Sequence, residues 1–427
     1  MFLMSIYIIA TLSALLIIFS ALPTALYYVS KYQEAMAQAD TIASSSCINY
    51  DQSARLIIVT CTSANLSDVY NELKDPSILD VQKQRHSDSS FSSSNNVWLL
   101  NANLTISKGA TFYVNSTDTS WLKIISDGTT AYSIDVHGSL KVDSVAITSW
   151  NPTANYYAVS NGTRILQSDG YEVHAGSPRA FIKIERDATG TTDITNSEIA
   201  YLGYEGGVGA AVTGLTYLGG HGSILRHNNL HDLYFGFYSS NVGDMIIEGN
   251  HIYNNSKYAL DPHTGTHDMI IRNNVVNDNG GIGIICSLDC YNITIENNEV
   301  YRNLEPGIFF SRNMYNSVAR NNNVHDEATG IFISQSHDNE IYNNTISNTT
   351  NAIYVKDNSS NNNIYQNTVI KSSNGINVKS SGAGNTVYSN TILDGSQNGK
   401  NITGIQSTSN NTIKDNKATH HHRHHRH

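Results

Sequence analysis

From Arg226 onward the chain repeats a short phrase: asparagine, any residue, then an aliphatic side chain. It occurs at Asn228-x-Leu230, Asn250-x-Ile252, Asn274-x-Val276, Asn298-x-Val300, Asn322-x-Val324, Asn344-x-Ile346, Asn367-x-Val369 and Asn390-x-Ile392. Successive asparagines stand 22, 24, 24, 24, 22, 23 and 23 residues apart. Between them apolar and polar residues alternate over short runs, the period of a β-strand with one buried face. A period near 23 with short strands predicts a parallel β-solenoid. Each repeat is one coil, which buries its apolar face only by stacking on its neighbours. Leucine-rich repeats share the length range, but their leucine pattern is missing.

A second column runs two residues before the anchors: Arg226, Glu248, Arg272, Glu296 and Arg320, then Tyr342, Tyr365 and Tyr388. Equivalent positions in a parallel stack lie about 4.8 Å apart. Opposite charges should therefore face each other, and the tyrosines should stack as a ladder. The asparagine column reads as turn positions, because Asn tolerates left-handed backbone and bonds neighbouring backbone groups. These residues have a sufficient architectural role, and none is a catalytic candidate.

Upstream, "VWLLNANLTI", "ATFYVN" and "YSIDVHGSLKVDSVAITSW" alternate in the same way, while "DSSFSSSNN" (Asp88 to Asn96) reads as a loop. The N-terminus differs. No charged side chain occurs from Met1 to Ser30. As a helix this run would span roughly 43 Å, against about 30 Å of bilayer hydrocarbon. It reads as a membrane anchor. A cleaved signal is the competitor, with Ala35-Met36-Ala37 as a weak cleavage candidate. The expected organisation is a transmembrane anchor or signal over 1–30, an N-terminal linker or capping region over 31–95, a β-helix domain over 96–418 and a His/Arg-rich tail over 419–427. The run "HHHRHHRH" fits a disordered tail or an appended tag.

Composition narrows the partners. The 427 residues carry a formal net charge of -10, and only 15% are charged. That argues against nucleic acid, whose phosphates want clustered Lys and Arg. An anionic substrate held by a few local cations remains open. Asn-x-Ser/Thr sequons begin at Asn65, Asn103, Asn115, Asn161, Asn254, Asn292, Asn343, Asn348, Asn358, Asn401 and Asn410, although a chain this rich in Asn, Ser and Thr makes them by chance. The four cysteines form two close pairs in sequence, Cys47 with Cys61 and Cys286 with Cys290. Disulfides would suit an extracytoplasmic body, but pairing is not readable from sequence. No CxxC or His/Cys metal spacing occurs.

The repeat is broken at "SKYALDPHTGTHD", Ser256 to Asp268. Aligning "ALDPH", "GIICS", "GIFFS" and "GIFIS" puts Leu260, Ile284, Ile308 and Ile331 in one inward column. Alternation then turns Asp261 and His263 outward, with Pro262 inward between them. Proline is unusual inside a stacked strand, since it fixes φ and lacks a donor. Ser287 and Ser311 match His263 on the next two coils, with Arg312 following, while Ile285 and Phe309 lie beside them. Such a strip suits a sugar chain: apolar faces meet the rings, and polar groups meet hydroxyls and carboxylates. Alone, Asp-x-His is weak, for the chain has 17 histidines.

The stretch Tyr258-Ala259-Leu260-Asp261-Pro262-His263 resembles the Tyr-Gly-x-Asp-Pro-His mark of the mannuronan (alginate) C-5 epimerases, with Ala in place of Gly. The likeness extends over roughly residues 95 to 340. It includes "NVWLLNANLTISKGATFYV", "ITSWNPTAN", "SEIAYLGYEGG", "GFYSSNVGDMIIEGN" and "GIFFSRN". The resemblance implies an all-β fold, a right-handed parallel β-helix, and an enzyme that epimerises uronate residues of an anionic polysaccharide. It further implies that His263 is the catalytic base or acid, Asp261 its supporting carboxylate and Tyr258 the second proton-transfer group. Arg312 would meet the substrate carboxylate, with Lys257, Ser287, Ser311, Phe309 and Tyr238 lining the sugar path. The family often carries Arg on the coil right after the motif, but here "GIICSLD" places Leu288 there, leaving Arg312 or Lys257 to neutralise the carboxylate. No cofactor is expected. Ca²⁺ stays open, because Asp268, Asp289 and Glu305 lie near the site yet lack the spacing of a dedicated loop. The competing readings are a polysaccharide lyase, which shares the first proton abstraction, and a non-catalytic carbohydrate-binding surface protein. The expected state is a monomer outside the cytoplasm, held by the N-terminal helix or secreted if that segment is cleaved.

Overall fold

The computed structural model describes residues 46–82, 96–160, 163–167, 170–174, 176–205, 212–393, 404–408 and 410–419. The chain divides into two units, Met1–Cys47 and Ile48–His427. The second is a right-handed parallel β-solenoid of about 12 turns, with sheets of 14, 13 and 15 strands. One coil shows the plan. Leu260–His263 lies in the first sheet, Ile270–Arg272 in the second and Val275–Asn277 in the third, after which Ile284–Ser287 re-enters the first.

The expected repeat is the observed pairing. In the third sheet Asn229, His251, Val275, Glu299, Asn323, Thr345, Thr368 and Thr391 are successive register partners. Inside the second sheet Ile247, Ile271, Ile295, Ala319, Ile341, Ile364 and Val387 stack in one column, all fully buried. Each such isoleucine contributes about 1.5–3 kcal/mol by leaving water. Outside it, the Glu248 carboxylate accepts Nε–H from Arg226 at 2.9 Å and from Arg272 at 2.8 Å, and Arg320 donates to Glu296 at 2.8 Å. The rings of Tyr342, Tyr365 and Tyr388 stack at 4.9 Å spacing. The charge and aromatic ladders expected from the sequence are both present. The arginines are partly exposed, so each pair stabilises by less than about 1 kcal/mol.

The asparagine column corrects one expectation. The left-handed residue is not the anchor but its predecessor: His227, Gly249, Asn273, Asn297, Asn321, Asn343, Gln366 and Ser389 all have positive φ. That bend turns the anchor Asn side chain inward. Asn274, for example, is 1% exposed. Its Oδ1 accepts from the N–H and Nδ2 of Asn250, while its Nδ2 donates to Ile247 O and Asn298 Oδ1. A buried amide is tolerated because all its polar atoms are satisfied. Gly249 is the one glycine in this column, and a Cβ there would stand 2.4 Å from the His227 ring.

The region expected as linker and cap carries the first turn. Ile48–Asp51 and Leu56–Val59 open the first sheet as an antiparallel pair, and Leu79–Gln82 pairs antiparallel with Asn96–Leu100 in the third. Between them a helix, Leu66–Leu73, buries Leu66 and Val69 in the solenoid core. It starts with a capping box, Asn65 accepting from Asp68 N and Asp68 from Asn65 N. At this terminus the helix covers apolar side chains that the next coil would otherwise bury. Among the described residues no helix is long and apolar enough to cross a membrane. The anchor expected over 1–30, all of the loop expected over 88–96 except Asn96, which begins a strand, and the His/Arg run 420–427 lie outside the described residues.

Candidate active site

In the strand Leu260–His263, Leu260 joins the core, and alternation turns Asp261 and His263 outward. Register pairs Asp261 with Tyr238, and His263 with Ser240 on one side and Ser287 on the other. The two following coils continue the column through Ser311 and Ser334, with Ile285, Phe309 and Phe332 beside them. The alignment read from the sequence, including the outward strip and the inward Pro262, is the one the sheet adopts. Pairing with the next strand is found at Leu260–Ile284 and His263–Ser287 but not at the positions between, the interruption that proline causes.

The turns after these strands set the geometry. Thr264 and Gly265 have φ of 26° and 66°, Leu288 and Asp289 71° and 63°, Arg312 and Asn313 49° and 69°. Left-handed backbone costs a β-branched or bulky residue about 1–3 kcal/mol, and each of these three consecutive coils carries two left-handed residues in succession. A disulfide, Cys286–Cys290, closes the middle turn.

Arg312 turns back from its own coil across Ser287. Its Nε–H donates to Ser287 Oγ at 2.8 Å, and Nη2–H donates to His263 Nε2 at 3.0 Å. Because Nε2 accepts, the ring proton sits on Nδ1, which donates to Thr264 Oγ1 at 2.6 Å. Burial, reinforced by the Arg312 charge, pushes His263 down to about 4, so the imidazole is neutral at pH 7. The Tyr238 ring stacks beside it, centroids 5.7 Å apart. Burial and the nearby Asp261 raise the Tyr238 phenol above its ordinary value.

Asp261 corrects the second expectation. It is not the support of His263, whose two nitrogens go to Thr264 and Arg312. Asp261 is 2% exposed, beneath neighbouring coils, and its Oδ1 has no hydrogen-bond partner. Burial drives its carboxyl well above the usual carboxylate range, only partly opposed by Arg312. Leu288 and Arg312 hold the same place on successive coils, linked by Leu288 N–H to Ser311 O and Asp289 N–H to Arg312 O.

The other expected residues lie around this centre. Ser287 is fully buried and Ser311 nearly so. The Phe309 ring stacks on Phe332 at 4.5 Å. Tyr258 packs against Phe235 at 5.3 Å and lies over Gly281, where a Cβ would stand 2.8 Å from the Tyr258 ring. Lys257 sits at the corner before the strand, its N–H on Tyr234 O. Asp268 accepts from Asn292 and pairs with His267, and Asp289 accepts from Asn313. Glu305 is exposed. Sequence reasoning missed Thr264, whose only signal is its place next to the histidine.

These features meet several known proteins. The model of the family described as periplasmic copper-binding protein (NosD) matches residues 184–358 and 320–424, together more than half of the chain. The chain belongs to the NosD family. No curated protein sequence matches it. Among solved structures, this NosD-family solenoid is similar to the periplasmic alginate epimerase AlgG, at 19% identity and a TM-score of 0.65. The alignment covers 86% of this chain and 85% of that chain. The A-module of the Azotobacter vinelandii mannuronan C-5 epimerase AlgE6 aligns at 15% identity and a TM-score of 0.46, over 74% of this chain and 91% of that chain. At these identities the likeness to AlgG establishes the parallel β-solenoid fold.

The family's description raises copper, which favours His, Cys and Met ligands. All four cysteines of this NosD-family chain are disulfide-bonded. His231, His267, His325 and His337 each bond Nδ1 to the following aspartate. Among the described residues no three of His, Cys, Asp and Glu gather to hold an ion. The described residues do not fit a resident copper ion, and no step below runs through one.

Proposed function

We propose that the protein is an extracytoplasmic uronan C-5 epimerase, acting on mannuronate-type residues of an anionic polysaccharide. The observation that carries this reading is the Arg312 bridge, which holds a guanidinium against the lone pair of a neutral His263 on an outward strand. H5 of a uronate is α to a carboxylate and is a poor acid until that carboxylate is neutralised. Arg312 is the cation in reach, and a bidentate guanidinium suits a carboxylate. As it turns to the substrate it releases Nε2, and the arriving negative charge raises the basicity of the imidazole. His263 then takes H5, and the C5–H electron pair moves into the carboxyl group as an enolate held by Arg312. Proton donation to the opposite face of C5, assigned to Tyr258, gives the C-5 epimer, and solvent returns both groups to their starting states. Burial raises the Asp261 carboxyl above the usual carboxylate range, which disfavours negative charge where the enolate forms.

Three further facts support the reading: the Asp-Pro-His resemblance, the fold shared with AlgG and the apolar flank of Ile285, Phe309 and Phe332. Disulfides and the family's description as periplasmic favour a location outside the cytoplasm. Loss of the O4 substituent from the same enolate would make a lyase, so the test must separate the two. Polymannuronate incubated with the protein in deuterated water should gain deuterium at C-5 without new unsaturated ends. New ends would mean a lyase. Neither signal, over a panel of uronans, would leave a binding protein.

A further inference from the structure

The column that holds His263 does not stop at the reacting groups. Register carries it from His263 through Ser287, Ser311 and Ser334 to Lys356 and then Lys379. That is five strand-to-strand steps, about 24 Å at about 4.8 Å each. The neighbouring column is aromatic on three of these coils, between Ile285 and Asn377: Phe309, Phe332 and Tyr354 stack at 4.5 and 5.5 Å. Both lysines are exposed. Lys356 reaches a carboxylate, Asp357, only at 3.9 Å, and no carboxylate among the described residues pairs with Lys379.

The opposite direction offers no such path. There the same face of the first sheet presents Asp135 and Lys183 in register, and Lys183 is neutralised by Glu185 at 2.6 Å. The asymmetry is unexpected in a chain of net charge -10. On this face, two exposed lysines lie on the C-terminal side of the candidate site, beyond an aromatic track.

We propose that Phe332 and Tyr354, with Lys356 and Lys379, form a distal subsite that binds the continuing chain of an anionic polysaccharide and makes the protein select long oligomers. The inference rests on the uronan reading of the His263 site and gives that substrate a direction and a minimum length. Pyranose rings would lie along the aromatic column, and their carboxylates would meet the two ammonium groups. A trimer placed at His263 would not reach Lys356, whereas a decamer would pass both lysines.

The test is binding, so that it stands apart from turnover. Calorimetric titration of the full-length protein with mannuronate trimer, hexamer and decamer should show decamer bound at least tenfold more tightly than trimer. The double variant Lys356→Ala/Lys379→Ala should lose about fivefold in decamer affinity at 0.05 M salt. It should leave trimer binding unchanged and show a much smaller loss at 0.5 M salt, because exposed ion pairs are screened. A neutral β-1,4-glucan decamer should not distinguish variant from wild type. Equal loss for trimer and decamer, no loss for either, or wild-type protein that binds long and short oligomers alike would overturn the subsite. A protein that shows the length dependence but no C-5 deuterium keeps the subsite and loses the epimerase. Deuterium exchange indifferent to length does the reverse.

Discussion

Glu327 ends a ladder that the solenoid otherwise builds from neutral amides, and substituting it has a calculable consequence. Asn255 Nδ2 donates to Asn279 Oδ1 at 2.9 Å, Asn279 Nδ2 to Asn303 Oδ1 at 2.8 Å, and Asn303 Nδ2 to Glu327 Oε1 at 2.7 Å. Glu327 is 4% exposed. Burial raises it from its ordinary 4.5 to about 8, against the lowering effect of its bonds from Asn303. Below pH 4.5 folded and unfolded chains both hold the proton, and the group is neutral to stability. Between 4.5 and about 8 only the unfolded chain loses it, so stability falls as pH rises and levels off above 8. At about 1.4 kcal/mol per tenfold, the full effect is at most about 5 kcal/mol. Glu327→Gln keeps an oxygen for Asn303 and has no proton to lose. Urea melts followed by circular dichroism should give nearly equal midpoints for wild type and variant at pH 4, and a markedly higher midpoint for the variant at pH 9. Parallel pH curves for the two proteins would refute the burial of an uncharged Glu327.

Other consequences follow from the same geometry. In labelled protein, the His263 nitrogens should titrate only below about pH 5, while His231 stays protonated at pH 7. Burial alone would lower His231, but Asp232 and Glu198 pull it up to about 9. A His263 signal titrating near 6.5 would contradict its burial beside Arg312. Arg312→Gln should reduce C-5 exchange about 100-fold or more and move the His263 titration upward; unchanged exchange would remove Arg312 from the reaction. Asn274→Ala should destabilise by about 3 kcal/mol, because it strands the N–H and Nδ2 of Asn250 and the carbonyl of Ile247. A urea midpoint within error of wild type would show that the amide ladder contributes little.

The repeat was legible because stacking makes each coil solve the same problem with the same residue types. The Arg/Glu alternation and the tyrosine run announced register directly, and Asp-Pro-His stood out against them. What stayed hidden depends on neighbours in space. The left-handed slot before each anchor has occupants as different as His227, Gly249 and Gln366, so no residue type marks it. The burial of Asp261 comes from the surrounding fold, and it raises the carboxyl above the usual carboxylate range. Arg312 reaches His263 because its own backbone is left-handed, a property that arginine does not advertise. The Asn255, Asn279, Asn303 ladder shared the 24-residue spacing, but its end at Glu327 emerges only from the pairing.

The claim that His263 removes H5 is tested most directly by following deuterium at C-5 of polymannuronate in deuterated water, with wild type and His263→Gln side by side. The account predicts incorporation by wild type without unsaturated ends, a loss of about 100-fold or more in the variant, and circular dichroism and urea midpoints that match. Full exchange by the variant, or none by wild type on any uronan, would contradict it.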